Sequence, residues 1–275
     1  MVSTLSETVF SWVHNVFGVY EDEALIHRMT LIAMIYTIVV GIASIVQPIA
    51  YGKLSDGNAF TMNARVAWSI QEAPAFIVPL LLIIQTPCSA LIESTGNKVA
   101  LFCFMAHYFH RAFIYPFRFI NPKPAPIINF VMAFIFCYFN GLLQGLHLTN
   151  VYTIETNTST ILGTLILLIG MAINIHSDGT LINLRKTSGK VPKGKSEYKV
   201  PRGGLFEYIS CANYFGEIIE WWGLYIVTCG MPQLTFAVFS NIFLGLRAVH
   251  GHQWYKKTFG SSYPSKRRAI IPFVF

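Results

Sequence analysis

The amino-acid sequence predicts an all-α polytopic membrane bundle of about seven transmembrane helices. Of its 275 residues, 53% are hydrophobic and 12% are charged, and the mean hydropathy is +0.50. A typical soluble domain has about 25% charged residues, so this composition indicates a chain that crosses a membrane repeatedly. Apolar runs of spanning length and an alternating charge in the segments between them support the same fold class.

Seven apolar runs define the predicted spans of one integral membrane domain that covers residues 1–275. Each is close to the roughly 20 residues that a helix needs to cross a bilayer. A tight turn over 230–232 separates the last two runs. The runs lie near residues 29–50, 66–86, 98–120, 126–148, 160–177, 205–229 and 231–249.

The flanking segments alternate in charge, which predicts the orientation. The extramembrane N-terminal segment 1–28 has four acidic residues and one basic residue, and it lacks the pattern of a signal peptide. By contrast, 178–204 has seven basic and two acidic residues, and 250–275 has five basic and no acidic ones. Because cytoplasmic segments are enriched in Lys and Arg, we expect the N-terminus outside. The basic loop 178–204, the basic tail 250–275 and the C-terminus would then face the cytoplasm.

Composition also argues against several functions. The net charge of +7 follows the membrane topology, so we expect no nucleic-acid partner. The five cysteines are scattered without CxxC or Cys/His spacing, and we expect no metal site and no disulfide framework. There is no GxGxxG after a strand and no GxxxxGK[ST], so a nucleotide would be held by side chains within the helical bundle.

Glu72 is the most informative residue in the predicted spans. A carboxyl group inside a membrane costs roughly 2.5 to 3.5 kcal/mol, so it requires a partner or a function. Many further polar residues recur in the spans, and a lipid-facing surface cannot host them, so they predict a shared interior cavity. They are His107, Tyr108, His110, Arg111, Tyr115, Asn140, Gln144, Asn174, His176, Asp178, Asn213, Glu217, Glu220 and Arg247.

The first candidate constellation is Gln71 and Glu72 with Tyr108 and Tyr115. Desolvation disfavours a charged carboxylate, so a neutral Glu72 could donate a hydrogen bond to a substrate oxygen, as a phenol can. Two such donors would polarise a carbonyl in the manner of an oxyanion hole. The alternative is a structural polar contact between helices.

A second constellation spans the end of the fifth predicted span. Asn174 and Asp178 are i,i+4 neighbours on one helix face, and an amide with a carboxylate can bind a ribose or a carboxamide. Arg185 follows and can bind a phosphate. The alternative is a helix end solvated at the membrane interface.

Two more patterns precede and enter the sixth predicted span. Gly203 and Gly204, flanked by Lys199 and Arg202, suggest an anion site at a helix start. Further on, Asn213, Glu217 and Glu220 share one helix face, and Arg247 is a plausible partner for the two carboxyl groups. For these carboxyl groups a purely structural ion pair is the alternative.

Several long motifs, in the same order, resemble the membrane steroid 5α-reductases (3-oxo-5α-steroid 4-dehydrogenases). The resemblance covers about residues 50–275. The motifs are QEAPAF at 71–76, HYFHRAFIYP at 107–116, AINIHSD at 172–178, YKVPRGGLFEYIS at 198–210, ANYFGEIIEW at 212–221, LGLRAVHGHQWY at 244–255 and IIPFVF at 270–275.

This resemblance implies a seven-helix bundle that binds NADPH toward the cytoplasm and reduces a Δ4-3-ketosteroid. It implies hydride transfer to C5 while Glu72 and Tyr108 polarise the C3 carbonyl, and substrate contacts at Gln71, Glu72, Tyr108 and Trp68. The implied cofactor contacts are Lys53, Arg111, Tyr115, Asn174, Asp178, Arg185, Tyr198, Asn213, Glu217, Arg247 and Tyr255. The proton donor to C4 is not assigned.

Three positions depart from the family pattern. Gly251 replaces a His, Asn129 lies near the position of a substrate-side Arg, and Lys199 replaces an Arg, keeping the charge but losing the bidentate fork. These departures bear on cofactor affinity and steroid choice rather than on reaction class.

The resemblance implies a monomer in the endoplasmic reticulum or a bacterial inner membrane, with the steroid entering from the bilayer and lipids as neighbours. Three alternatives remain. One is a reductase of another enone or enoyl lipid, such as an acyl-CoA or a polyprenal. The others are an S-adenosylmethionine-dependent lipid methyltransferase, which the NIHSD and GEIIEW motifs disfavour, and a non-catalytic sterol-binding or transport protein.

Overall fold

The computed structural model describes residues 12–19, 21–46, 60–85, 92, 94–186 and 198–275. Within these ranges the chain is a helical bundle with one short antiparallel ribbon, β1 (Thr61–Met62) paired with β2 (Ala125–Pro126). The long helices are α1 (Asp22–Val46), α2 (Ala64–Glu72), α3 (Pro74–Gln85), α4 (Thr95–Phe109), α5 (Ile127–Leu146), α6 (Thr158–Lys186), α7 (Ala212–Thr228) and α8 (Met231–Phe259).

Shorter helical turns connect several of these helices. Two are π turns, and three are 3-10 turns of three or four residues. The π turns are His110–Ile114 and His147–Val151, and the 3-10 turns are Tyr115–Arg118, Gly204–Glu207 and Gly260–Ser262.

Five segments of the described chain are long and apolar enough to cross a membrane, which confirms a helical membrane fold. They are Asp22–Val46, Ala64–Ile84, Ile127–Val151, Thr158–Arg185 and Met231–Ser262. The predicted spans 98–120 and 205–229 correspond to α4 with its following turns and to the 17-residue α7. The seven-span topology and the orientation of the termini stay predictions.

Two helices run further than their predicted spans. Helix α6 continues past 177 to Lys186, and α8 continues past 249 to Phe259. The polar residues in these two extensions therefore lie in helices rather than in loops. Asp178, for example, accepts hydrogen bonds from Arg111 and Asn213 on neighbouring segments. Of the predicted basic loop 178–204, residues 187–197 lie outside the described residues.

A proline-initiated break places Glu72 at the end of α2. Asn63 starts this helix, since its side-chain oxygen accepts hydrogen bonds from the backbone N–H groups of Arg65 and Val66 at 2.9 and 3.3 Å. Helix α3 then begins at Pro74, which has no N–H to continue the ladder of α2. The predicted second span is therefore two helices, and Glu72 lies at their junction.

Glycines set the closest helix pairing, between α6 and α7. A methyl group on Gly216 would lie 2.5 Å from the backbone nitrogen of Asn174, and one on Gly163 would lie 2.6 Å from that of Val227. Gly170 and Gly223 are equally close to the facing helix. Gly170 lies seven residues after Gly163, Gly223 lies seven residues after Gly216, and the four glycines together form a glycine seam between α6 and α7. Only residues without a Cβ permit this approach, which brings the polar residues of both helices together.

Gly141 and Gly145, which form a GxxxG motif, are a second site of close helix packing. A Cβ on Gly141 would lie 2.8 Å from the Cα of Ala75, and one on Gly145 would lie 2.7 Å from a methyl carbon of Leu82. Helix α5 therefore packs directly on α3, with no room for a phosphate between them.

The C-terminal part of the basic tail folds back against the residues that precede α7. The backbone N–H groups of Ser210 and Cys211 donate to the carbonyls of Arg268 and Ala269 at 2.8 and 3.2 Å. Arg267 is buried, and its guanidinium donates to the carbonyl of Pro201 at 3.0 Å. The C-terminal residues therefore form part of the folded structure around the start of α7.

We predict that Gly216→Ala lowers stability, because the added methyl group meets the rigid backbone of α6. Overpacking of this kind typically costs about 1–3 kcal/mol. Thermal unfolding in detergent should show a clearly lower Tm. Gly245→Ala is the matched control, since nothing lies within 4 Å of its Cβ position in α8, and its Tm should be unchanged or slightly higher. Equal Tm values for the two variants would contradict the close packing of α6 and α7 at these glycines.

Candidate functional site

A large cavity of about 1120 Å³ opens between the helices. Most of the predicted site residues line it, although they come from five helices and two connecting segments. They are Trp68, Gln71, Glu72, Tyr108, Arg111, Tyr115, Arg185, Tyr198, Asn213, Glu217, Arg247 and Tyr255. The tertiary structure therefore brings twelve of the fifteen predicted residues to one space.

Three predicted residues do not line the cavity. Asn174 and Asp178 are buried directly behind its wall, where they contact lining residues. Lys53 lies outside the described residues. His110 and His176, singled out as polar residues of the spans, also lie outside the lining, whereas His107 is part of it.

A buried polar network joins α4, α6 and α7. The guanidinium of Arg111 donates to Asp178 Oδ2 at 3.0 Å, and its second nitrogen lies 3.9 Å from Glu217 Oε2. Asn213 donates to the other oxygen of Asp178 at 3.1 Å. Asn174 completes the ring by donating to the Asn213 carbonyl at 2.9 Å and to Glu217 at 3.3 Å.

The π turn after α4 directs Arg111 into this network. The guanidinium also lies over the rings of Trp68 and Tyr115, at 5.0 and 4.9 Å from their centroids. Both aromatic rings line the cavity, so the cation is held between carboxylates on one side and aromatic faces on the other. A widened turn of this type is often found at functional sites.

Among the residues that the structure describes, Glu72 has two long polar contacts. Gln71 Nε2 lies 3.4 Å from its Oε1, and the thiol of Cys137 lies 3.6 Å from its Oε2. Both carboxyl oxygens therefore keep the capacity for a stronger hydrogen bond with a ligand. Cys137 also lines the cavity.

Tyr108 is held in a directional chain of hydrogen bonds. Gln144 donates to the side-chain oxygen of Asn140 at 3.2 Å, and Asn140 donates to the hydroxyl oxygen of Tyr108 at 3.3 Å. Because the hydroxyl oxygen already accepts a bond from Asn140, the hydroxyl hydrogen is left to donate into the cavity. Sequence reasoning flagged both amides as polar residues of a span but did not link them to Tyr108.

Glu220 pairs with a histidine. Its Oε1 lies 2.9 Å from His107 Nδ1, and both side chains are buried. Arg247, the partner suggested by the sequence, donates instead to the hydroxyl of Tyr214 at 3.4 Å. The two carboxyl groups of α7 thus contact different cationic or proton-bearing groups of the α4 segment, Glu220 with His107 and Glu217 with Arg111.

The cavity lining also includes a set of cationic and aromatic side chains that does not belong to the polar network around Arg111 and Asp178. Arg185 is exposed at the edge, and it makes no ion pair or hydrogen bond with any other residue that the structure describes. Lys123 lies over the ring of Tyr198 at 5.5 Å. Positive charge, amides and aromatic faces together suit a phosphate-bearing ligand with planar rings.

The three departures from the family pattern all line this cavity. Gly251 is buried in α8, Asn129 is in α5, and Lys199 is exposed beside Tyr198. Each position can therefore affect ligand binding directly. Gly251 affects the volume of the cavity, and Lys199 affects its charge.

Ser210 is a functional candidate that sequence reasoning missed. Its hydroxyl contacts His252 Nδ1 and the Tyr263 hydroxyl, each at 2.6 Å, and donates to the Arg268 carbonyl at 3.0 Å. Ser210 lines the cavity, so this contact joins the C-terminal tail to the cavity wall. Ser210 ends the motif YKVPRGGLFEYIS, but the motif does not predict these contacts, because the partners of Ser210 are 42 to 58 residues away.

The turn before α7 is fixed by Glu207. Its carboxylate accepts the backbone N–H of Gly203 at 2.6 Å and a bond from Arg202 at 3.3 Å. These donors hold the pKa of the Glu207 carboxyl below its usual value, the Gly203 N–H having the larger effect. The predicted anion site at Gly203 and Gly204 therefore has an internal carboxylate on one of its N–H groups.

No group of three or more His, Cys, Asp or Glu side chains within the described ranges is arranged to hold a metal ion. The cavity lining combines hydrogen-bonding, cationic and aromatic side chains with aliphatic ones such as Met132, Leu181 and Leu244.

Comparison with known sequences gives a consistent assignment. A family profile described as 3-oxo-5-alpha-steroid 4-dehydrogenase matches residues 123–275. The chain is 43% identical over 238 residues to 3-oxo-5-alpha-steroid 4-dehydrogenase 2 of Sus scrofa, covering 83% of this chain and 89% of the relative. It is 41% identical over 240 residues to the human type 2 protein, covering 84% and 90%.

The similarity extends to the type 1 proteins. The chain is 42% identical over 230 residues to 3-oxo-5-alpha-steroid 4-dehydrogenase 1 of Bos taurus, covering 82% of this chain and 87% of the relative. The chain therefore belongs to the 3-oxo-5-alpha-steroid 4-dehydrogenase family of oxidoreductases.

Proposed function

We propose that this protein reduces the Δ4 double bond of 3-oxosteroids to 5α-dihydrosteroids with NADPH. The observation that carries the proposal is one cavity lined by two chemically different sets of side chains. Glu72 and Tyr108 can donate hydrogen bonds, and Arg185, Lys199 and Arg247 supply positive charge. We assign the first set to a carbonyl end, which suits a neutral ketone, and the second set to a cofactor end, which suits a phosphorylated cofactor.

The hydrogen-bond donors at the carbonyl end would stabilise the charge that develops on the substrate during the reaction. A bound nicotinamide cofactor supplies the hydride that C5 receives. As C5 accepts it, negative charge develops on the C3 oxygen, where Glu72 and Tyr108 donate hydrogen bonds. Donors placed in advance stabilise that charge more than they stabilise the neutral ketone, and this difference accelerates the step.

Asn140 gives Tyr108 its role as a donor. With the phenol oxygen accepting a bond from Asn140, the hydroxyl hydrogen points to whatever acceptor enters the cavity. Gln71 acts similarly on Glu72, since its amide contacts one carboxyl oxygen and leaves the other to meet the ketone. Trp68 supplies an apolar face for the steroid.

The cofactor end divides into contact residues and supporting residues. Arg185, Lys199 and Arg247 would bind phosphates, and their number favours NADPH over NADH because of the additional 2′-phosphate. Asn213, Glu217, Tyr115, Tyr198 and Tyr255 would contact the neutral parts of the cofactor, and Lys53 would join them. Asn174 and Asp178 hold Arg111 and Asn213 in position from behind the wall.

We place the enzyme in the endoplasmic reticulum or a bacterial inner membrane, as a monomer, with the cofactor end toward the cytoplasm. Five apolar helices support membrane insertion, and the clustering of basic residues in 178–204 and 250–275 supports the orientation. An apolar steroid would reach the cavity from the bilayer.

The direct test is NADPH oxidation by detergent-purified protein with progesterone or testosterone, with product stereochemistry determined by mass spectrometry and NMR. We expect a 5α-dihydro product. Protein that binds NADPH but oxidises none of it with either steroid would favour another enone lipid as substrate. Failure to bind NADPH would favour the non-catalytic sterol-binding protein.

We predict that Glu72→Gln folds and binds NADPH but loses turnover by about 10²-fold or more, because an amide donates a weaker hydrogen bond than a neutral carboxylic acid. Steady-state kinetics and NADPH binding by fluorescence measure the two effects separately. Glu155→Gln is the control, because it makes the same chemical change at an exposed residue that does not line the cavity. Turnover near the wild-type rate in Glu72→Gln would remove Glu72 from the mechanism.

We predict that Asn140→Leu lowers kcat by about tenfold with a small change in the NADPH KM, since the Tyr108 hydroxyl loses the bond that orients it. Tyr108→Phe provides the comparison. In the double variant Asn140→Leu/Tyr108→Phe the two losses should not add, because both act on the same hydroxyl. Fully additive losses would show that Asn140 acts elsewhere.

We predict that Arg185→Ala raises the NADPH KM by at least about tenfold and the steroid KM much less, since charge-assisted bonds to a phosphate are lost. The measurement is initial rates with each substrate varied in turn. Lys98→Ala, an exposed cation near the start of α4, should change neither constant. An unchanged NADPH KM in Arg185→Ala would refute the phosphate contact.

A further inference from the structure

One buried ion pair beside the cavity has no role in the reaction as described so far. His107 is 3% exposed and Glu220 is fully buried, with 2.9 Å between His107 Nδ1 and Glu220 Oε1. A pair of this kind in a membrane protein is costly to place, so its position relative to the reacting groups is informative.

His107 brings the pair to the wall of the cavity, next to Tyr108. His107 adjoins Tyr108 in α4 and stands one helical turn before Arg111, while Glu220 stands one turn after Glu217 in α7. The ring of His107 lines the cavity, and it packs 5.1 Å from the ring of Tyr108 between centroids. The pair is therefore next to the point where ketone and cofactor would meet.

The partners of the pair leave one ring nitrogen for a ligand. Nδ1 is bonded to Glu220, so Nε2 is the nitrogen of His107 that remains for a molecule in the cavity. The ring is held against Trp221 at 4.5 Å between centroids, which fixes its plane. The imidazole is thus oriented by a carboxyl group on one side and available on the other, as in a general acid–base site.

The surroundings of the Glu220 carboxyl group indicate that Glu220 and His107 share one proton. Glu220 Oε2 is buried and has no hydrogen-bond partner among the residues that the structure describes. A carboxylate with one bare oxygen is stabilised chiefly by a protonated neighbour, so a proton can reside on either partner. The other titratable or charged groups that face the pair are Glu72, Tyr108, Cys103, His110, Arg111 and Glu217.

We propose that His107, oriented by Glu220, donates the proton that C4 of the steroid receives after hydride transfer; this rests on the function proposed above. Hydride addition forms the C5–H bond and breaks the C4–C5 π bond, leaving an enolate across C3 and C4. The enolate electron pair then forms the C4–H bond with the proton of His107 Nε2. Neutral His107 remains bonded to the Glu220 carboxylate, and a solvent proton recharges the pair before the next turnover.

The test compares wild-type protein with His107→Gln in deuterium oxide, with NADPH and testosterone. The wild-type product should carry deuterium on a single face of C4, as read by NMR after quenching at neutral pH. His107→Gln should lower kcat by about 10²-fold or more, and its residual product should carry deuterium on both faces, because water then protonates the released enol. NADPH binding should be unchanged.

His147→Gln is the matched control, since His147 is also a buried histidine bonded to a side-chain amide but lies outside the cavity lining. It should keep single-face labelling and turnover. Single-face labelling at the wild-type rate in His107→Gln would overturn the proposal while leaving the proposed function intact. A wild-type protein that forms no 5α product would instead overturn the function itself.

Glu220→Gln provides a second measurement that does not depend on His107→Gln folding. Glu220 is a positioning residue here, and its loss removes the negative charge that stabilises the imidazolium. The pH limb of kcat on the alkaline side should therefore move to lower pH, because the proton-donating form then persists only in more acidic solution. An unchanged pH profile would show that the pair does not supply the proton.

Discussion

The ion pair between Arg111 and Asp178 is the contact on which the site depends. A guanidinium buried in a membrane bundle needs a carboxylate partner, and Asp178 can provide it only if α6 remains helical to that point. The same carboxylate accepts a bond from Asn213, so one side chain fixes residues of α4 and α7 together. The two carboxylate oxygens therefore set the relative position of three helices.

The glycine seam makes this network possible. Asn174 reaches both the Asn213 carbonyl and Glu217 because α6 and α7 approach at backbone distance along Gly163, Gly170, Gly216 and Gly223. Larger residues would separate the helices and leave buried amide and carboxyl groups without partners, which is more costly in a membrane than in water. Close packing and polar pairing are thus two consequences of the same spacing.

Directional hydrogen bonding gives the cavity lining two kinds of polar group. Neutral amides contact Glu72 and Tyr108. Arg185 and Lys199 add exposed positive charge to the same lining. The polar groups of this cavity therefore come from side chains of the helical bundle and its connections rather than from a glycine-rich loop of a Rossmann fold.

Composition and hydropathy were enough to predict the membrane class and a shared polar cavity, because a bilayer tolerates polar side chains only where they share an interior. Glu72 and Tyr108 were singled out in this way, whereas Tyr198 and Tyr255 were assigned to the site through the family resemblance. Only the tertiary structure decided that Glu220 pairs with His107 rather than Arg247, that Asn140 orients Tyr108, and that Ser210 anchors the tail. Helical periodicity gives the face of one helix, whereas the partner across the bundle depends on crossing distances that the packing of all the helices sets together.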